Sequence, residues 1–192
     1  MTAILSDNHE AVNLAESLWE FFDFQLYCTT RPDDGEPSRI RIDGLNSKEI
    51  GDIKVCISLR DTERQKEALV HELLHADLIR DGYPKFGIDE PDDDDKHGFA
   101  EDICNYADHL VMKPIYLNFG YEKDRFVRPI GPLTESQKRV FRDLRGMKHD
   151  LFTSHGYRAR IAAYLQSKSI KFTAMSVADA IAERKRRSVI RH

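Results

Sequence analysis

Residues 53–80 read IKVCISLRDTERQKEALVHELLHADLIR, and the fold turns on a change of rhythm inside them. Ile53, Val55, Ile57 and Leu59 alternate with Lys54, Cys56, Ser58 and Arg60. That period of two predicts a half-buried strand. The period then becomes helical. Asp61 or Thr62 can cap a helix, Thr62-Glu63-Arg64-Gln65 has capping-box form, and nothing breaks the helix before Gly82-Tyr83-Pro84. Ala68, Leu69, Leu73, Ala76 and Ile79 form its apolar side. On such a helix His71 and His75, four residues apart, project from one face and can reach one metal ion. Glu72 lies beside them, where a carboxylate can take a proton from water at the metal and pass it to a leaving nitrogen.

Working outward, residues 8–22 carry Val12, Leu14, Ala15, Leu18, Trp19 and Phe22 at helical spacing. A short aromatic strand over 24–29, a loop over 31–37 and a strand over 39–43, with Ile40 and Ile42 on one face, complete the first part. Beyond the HExxH helix, residues 83–98 contain Pro84, Gly87, Pro91, Gly98 and the run Asp92–Asp95, which predicts a long solvated loop. A helix over 99–112 stops before Pro114, residues 114–133 are irregular, and further helices are expected over 134–150, 157–167 and 176–187. These elements predict an α+β fold. A small β-sheet packs on the active-site helix and on a second, Glu101-bearing helix, and a helical C-terminal region follows. The division expected is a zinc-peptidase-like domain over 1–133 and a basic helical region over 134–192.

A chain of 192 residues that is 41% hydrophobic can bury a core. Its net charge of −4 hides an asymmetry. Residues 134–192 hold 14 Lys+Arg against 5 Asp+Glu, a net of +9, so the rest carries −13. A basic end, with Arg184-Lys185-Arg186-Arg187 at its core, can dock on the acidic body or meet a nucleic acid. No apolar run has the ~20 residues of a membrane span. The first ten residues lack the pattern of a secretory leader, and the three cysteines form no CxxC pair. A cytoplasmic protein without disulfides is expected.

Two histidines do not hold catalytic zinc alone; a third protein ligand is required. His97, Glu101, Asp102, Asp108, His109 and the Asp92–Asp95 run supply candidates, with Glu101 best placed at the start of the next helix. His109 reads as structural. Asn105, one turn past Glu101, can hydrogen-bond the outer nitrogen of a ligand histidine, and Asp108 can do the same. His97, Tyr83, Tyr106 and Tyr116 are candidates for stabilising a developing oxyanion.

The stretch Lys54–Asp61, then Arg64-Gln65 and Ala68–His75, resembles the central part of the ImmA/IrrE metallopeptidase family. Glu101-Asp-Ile-Cys-Asn105-Tyr-Ala107, ending at Leu110-Val-Met112-Lys-Pro114, resembles that family's second signature. The resemblance spans about residues 50–115. Leu74, where the family has Gly, and the extra Lys113 depart from the family pattern, so the resemblance implies a distinct branch as readily as close kinship. By this resemblance Glu101 is the third zinc ligand, and the implied activity is hydrolysis of a peptide bond in one specific regulator protein. SprT-like proteases share only the His-Glu-Leu-Leu-His element. The competing expectation is a nucleic-acid-binding or regulatory protein whose zinc is structural or non-catalytic.

Overall fold

Alternation in the central stretch becomes a strand over Lys54–Arg60, with Val55, Ile57 and Leu59 buried and Lys54 exposed. The described elements are, in chain order, α1 (His9–Phe21), β1 (Leu26–Arg31), β2 (Arg39–Asp43), β3 (Lys54–Arg60), α2 (Gln65–Arg80), β4 (Lys85–Ile88), α3 (Asp94–Asn118), α4 (Ser154–Ser167), β5 (Phe172–Met175) and α5 (Ala178–Ile190). The computed structural model describes residues 1–32, 38–62, 64–89, 94–126, 138, 142 and 151–190. The helix expected over 134–150 therefore lies outside the described residues, apart from 138 and 142, both helical.

The fold is α+β, with a three-stranded and a two-stranded sheet. In the larger sheet β3 is central, pairing in parallel with β1 and antiparallel with β2. The register sets Leu26, Val55 and Ile42 in one row and Cys28, Ile57 and Ile40 in the next. These rows make the apolar face of the sheet. Each fully buried aliphatic side chain there contributes about 1.5–3 kcal/mol.

The helix α2 neighbours β3, β2, α1 and α3. Leu69, Val70, Leu73, Leu74, Ala76, Leu78 and Ile79 are all buried, so this helix is covered on nearly every side. Before it, the Thr62 hydroxyl accepts from the Arg64 backbone N–H at 3.3 Å. At α1, Asn8 caps the helix by accepting from the Ala11 N–H at 3.0 Å. Its Nδ2 donates to the Phe119 carbonyl at 2.8 Å, tying α1 to the end of α3.

Two features differ from the sequence expectation. α3 starts at Asp94 and passes through Pro114 to Asn118 instead of stopping at Met112. Proline in a helix interior forfeits one backbone bond and costs about 3 kcal/mol. Met112 and Tyr116, on either side of it, are fully buried, and their burial offsets that loss. The expected loop over 83–98 also contains β4, which pairs antiparallel with β5 from Lys85↔Met175 to Ile88↔Phe172. The boundary expected at 133/134 thus runs between two paired strands. Among the described residues no helix is long and apolar enough to cross a membrane. No disulfide joins Cys28, Cys56 and Cys104.

Candidate metal centre

Where α2 crosses α3, His71 and His75 face His109. Ring centroids are 5.0 Å apart for His71–His75, 4.8 Å for His71–His109 and 5.5 Å for His75–His109. One nitrogen from each ring lies within 4.8 Å of the others. The Nε2 atoms of His71 and His109 are 3.2 Å apart. Two nitrogens bound tetrahedrally to zinc at ~2.0–2.1 Å stand about 3.3 Å apart, so this pair already has ligand spacing.

Burial keeps the three imidazoles uncharged. It holds His71 well below the ordinary histidine value, helped by the neighbouring rings of His75 and His109. His75 is lowered by burial against the opposing pull of Asp108. His109 is pushed down to about 4, again chiefly by burial and then by His75. Neutral imidazole is the form that binds a metal ion, so these rings need not release protons to do so at neutral pH. The donor set therefore fits zinc or a similar nitrogen-preferring divalent ion.

Behind His75 stands Asp108, also on α3. Its Oδ2 lies 3.0 Å from His75 Nδ1. Its Oδ1 accepts from the Tyr157 hydroxyl at 2.6 Å, and the Lys85 ammonium pairs with Oδ2. Burial pushes the Asp108 carboxyl up, but Lys85 and His75 outweigh it and hold the group well below the usual carboxylate range. An ionised Asp108 fixes the proton of His75 on Nδ1 and leaves Nε2 for the metal.

Glu72 is 6% exposed. Burial pushes its carboxyl up to about 8, against the charge of Lys85 and a backbone hydrogen bond from Ile40. Ile40 belongs to β2, the edge strand, so this carboxyl stands where α2 meets the rim of the larger sheet. Phe126 closes the other flank. Its ring lies 5.1 Å from His71 and 5.4 Å from His109. The Phe126 backbone carbonyl faces His71 and favours its proton, but His71 Nδ1 remains buried without a hydrogen-bond partner.

The helix thus brings His71, Glu72 and His75 together, and α3 adds Asp108 and His109. Asn105 is exposed, and the outer nitrogen of His75 is taken by Asp108 instead. Glu101 and His97 lie on α3, and their side chains are outside the described residues. Eight residues of helix separate Glu101 from His109, about 12 Å along the axis. Tyr83 is buried against Tyr157 with ring centroids at 5.2 Å, and Tyr116 is buried against Phe126 at 4.9 Å. Tyr106 is half-buried. Lys85 and Tyr157 were not anticipated from sequence. Neither has a local signature, because each reaches Asp108 only through tertiary packing.

The basic cluster on α5 touches the N-terminal part of the molecule. Arg184 donates to the Phe21 carbonyl at 2.6 Å and lies 5.8 Å over the Phe21 ring. Arg187 pairs with Glu49 at 2.9 Å. No known protein family matches the chain, and no curated protein or solved structure matches it either.

Proposed function

We propose that this protein is a zinc-dependent metallopeptidase in which His71, His75 and His109 hold the metal. The observation that carries the reading is three imidazoles with nitrogens within 4.8 Å of one another, beside a buried carboxyl, Glu72, on the helix that carries two of them. Zinc bound there supplies a Lewis acid that polarises a carbonyl and acidifies water. His75 is oriented by Asp108, and His71 and His109 complete the donor set. Glu72 accepts the proton of the attacking water on a carboxylate oxygen and returns it to the leaving nitrogen. Burial raises the Glu72 carboxyl to about 8, which favours its protonated form in the metal-free chain. A divalent ion held by the three histidines would favour the carboxylate, the form a general base needs. Resemblance to the ImmA/IrrE family supports a single protein substrate as the target. It implies Glu101 as third ligand, whereas the described geometry supports His109.

The test is metal content and cleavage, measured on the same preparations. One zinc per chain in the wild type, lost in His109→Ala and kept in Glu101→Ala, is expected. The converse pattern returns the third ligand to Glu101. Glu72→Gln should keep its zinc and lose cleavage of a proteome-derived peptide library by about 10²–10⁴-fold. Full activity in that variant refutes the mechanism.

A structural metal site is the second reading, favoured by the burial of His75 and by the Phe126 ring packed edge-on or tilted against His71 and His109. It predicts that chelation lowers the melting temperature strongly and that no peptide in the library is cut.

A further inference from the structure

We propose that Tyr157, supplied by the C-terminal part of the chain, is a positioning residue for the metal centre, acting through Asp108 on His75. The inference rests on the metal reading above. Asp108 is a junction of three elements. It meets His75 from α2, Lys85 from β4 and Tyr157 from α4. Its side chain is 2% exposed, so it depends on these partners rather than on water.

The two carboxylate oxygens are used differently. Oδ2 faces His75 Nδ1 and Lys85, while Oδ1 accepts from Tyr157. Partial rotation of the carboxylate about its last bond would tilt its plane and carry the oxygen that faces His75 out of line with Nδ1. Tyr157 opposes that rotation. Its phenol has one proton, and the 2.6 Å contact to Oδ1 is the stronger of its two bonds; the Cys104 carbonyl lies at 3.2 Å. Burial, then the Asp108 charge, keeps the phenol protonated, so it stays a donor.

The rest of the brace has the same origin. Lys85 sits on β4 opposite Met175 of β5, so residues beyond 150 set both of the partners that hold Asp108 against His75. Outer-shell partners of ligating histidines are typically worth 10–100-fold in metal affinity. Tyr157 is one step further out and is expected at the lower end of that range.

A double-mutant cycle on the full chain tests this. Zinc affinity is measured by competition with a chromophoric chelator for wild type, Tyr157→Phe, Asp108→Asn and the double variant. Tyr157→Phe should weaken zinc about 10-fold, and should cost nothing further once Asp108 is Asn. Unchanged affinity in Tyr157→Phe, or an undiminished loss in the Asp108→Asn background, overturns the proposal and leaves the metal reading intact. A wild type that binds no zinc removes both. If Tyr157→Phe does not fold, 3-fluorotyrosine at position 157 preserves the donor and the fold. Its fluorine resonance should shift on zinc addition in the wild-type background and stay fixed in Asp108→Asn; a shift in both, or in neither, overturns the proposal.

Discussion

The two flanks of the histidine cluster are built differently. Toward β4 and α4, the polar groups gathered around Asp108 are engaged: His75 Nδ1, both oxygens of Asp108, the Lys85 ammonium and the Tyr157 hydroxyl. Toward the end of α3 and Phe126, three buried polar atoms have no hydrogen-bond partner. They are His71 Nδ1 and the hydroxyls of Tyr116 and Tyr121. A satisfied network fixes geometry, and an unsatisfied one leaves its groups able to take new partners. His75 is thus fixed by its contact with Asp108, whereas His71 rests on the Nε2 of His109 and on the Phe126 ring.

The largest expected break in that contrast is Asp108→Asn. It removes the centre of the braced flank and strands Lys85. Zinc affinity should fall about 10–100-fold by chelator competition, and urea unfolding should show a loss on the order of 2 kcal/mol in the metal-free chain, tempered by the partial exposure of Lys85. Equal affinity in variant and wild type would erase the distinction between the flanks.

The pH dependence of metal-free stability separates two groups that sit on opposite sides. Glu72 is raised from 4.5 to about 8, so between those values the folded state holds more protons than the unfolded one. Stability therefore falls as pH rises from 6.5 to 8, and Glu72→Gln should flatten that limb, an effect on the order of 2 kcal/mol. His109 is lowered from 6.5 to about 4, so the unfolded state holds more protons in that window. Stability falls as pH drops through it, and His109→Gln should remove part of that limb, with His71 and His75 supplying the remainder. Thermal unfolding across pH 4–9 in the presence of chelator reads both.

The smallest effect is expected on the loose flank. Removing an orphaned hydroxyl in Tyr116→Phe should change stability by less than about 1 kcal/mol and in the favourable direction, measured by urea unfolding. A substantial loss would mean that this flank is braced after all.

What the sequence disclosed follows from the range of its signals. The HExxH helix and the strand before it were legible because periods of two and 3.6 are local. Asp108 was among the residues expected to reach the outer nitrogen of a histidine in the motif, and its Oδ2 lies 3.0 Å from His75 Nδ1. That His109 meets His71 and His75 was not legible, because it depends on how α3 is rotated against α2, which no spacing within α3 encodes. Four-residue β4 offers only Phe86 and Ile88 as an alternating pair, with Gly87 between them, too short a pattern to mark a strand, and it pairs with β5. Lys85 was hidden for the same reason. Proline at 114 misled because local propensity yielded to the burial of Met112 and Tyr116.

The pairing of Lys85 with Met175 joins residues 90 positions apart, and it has a consequence for the order of events during synthesis. The HExxH helix and both of its histidines leave the ribosome long before β5 does. Until Met175 emerges, β4 has no partner strand, Lys85 has no fixed place, and Tyr157 has only just followed. Contacts of such separation form late and slowly. A nascent chain therefore exposes its imidazoles before the fold braces them, and if the proposed centre takes up zinc, that uptake would be one of the last steps of folding rather than a seed for it.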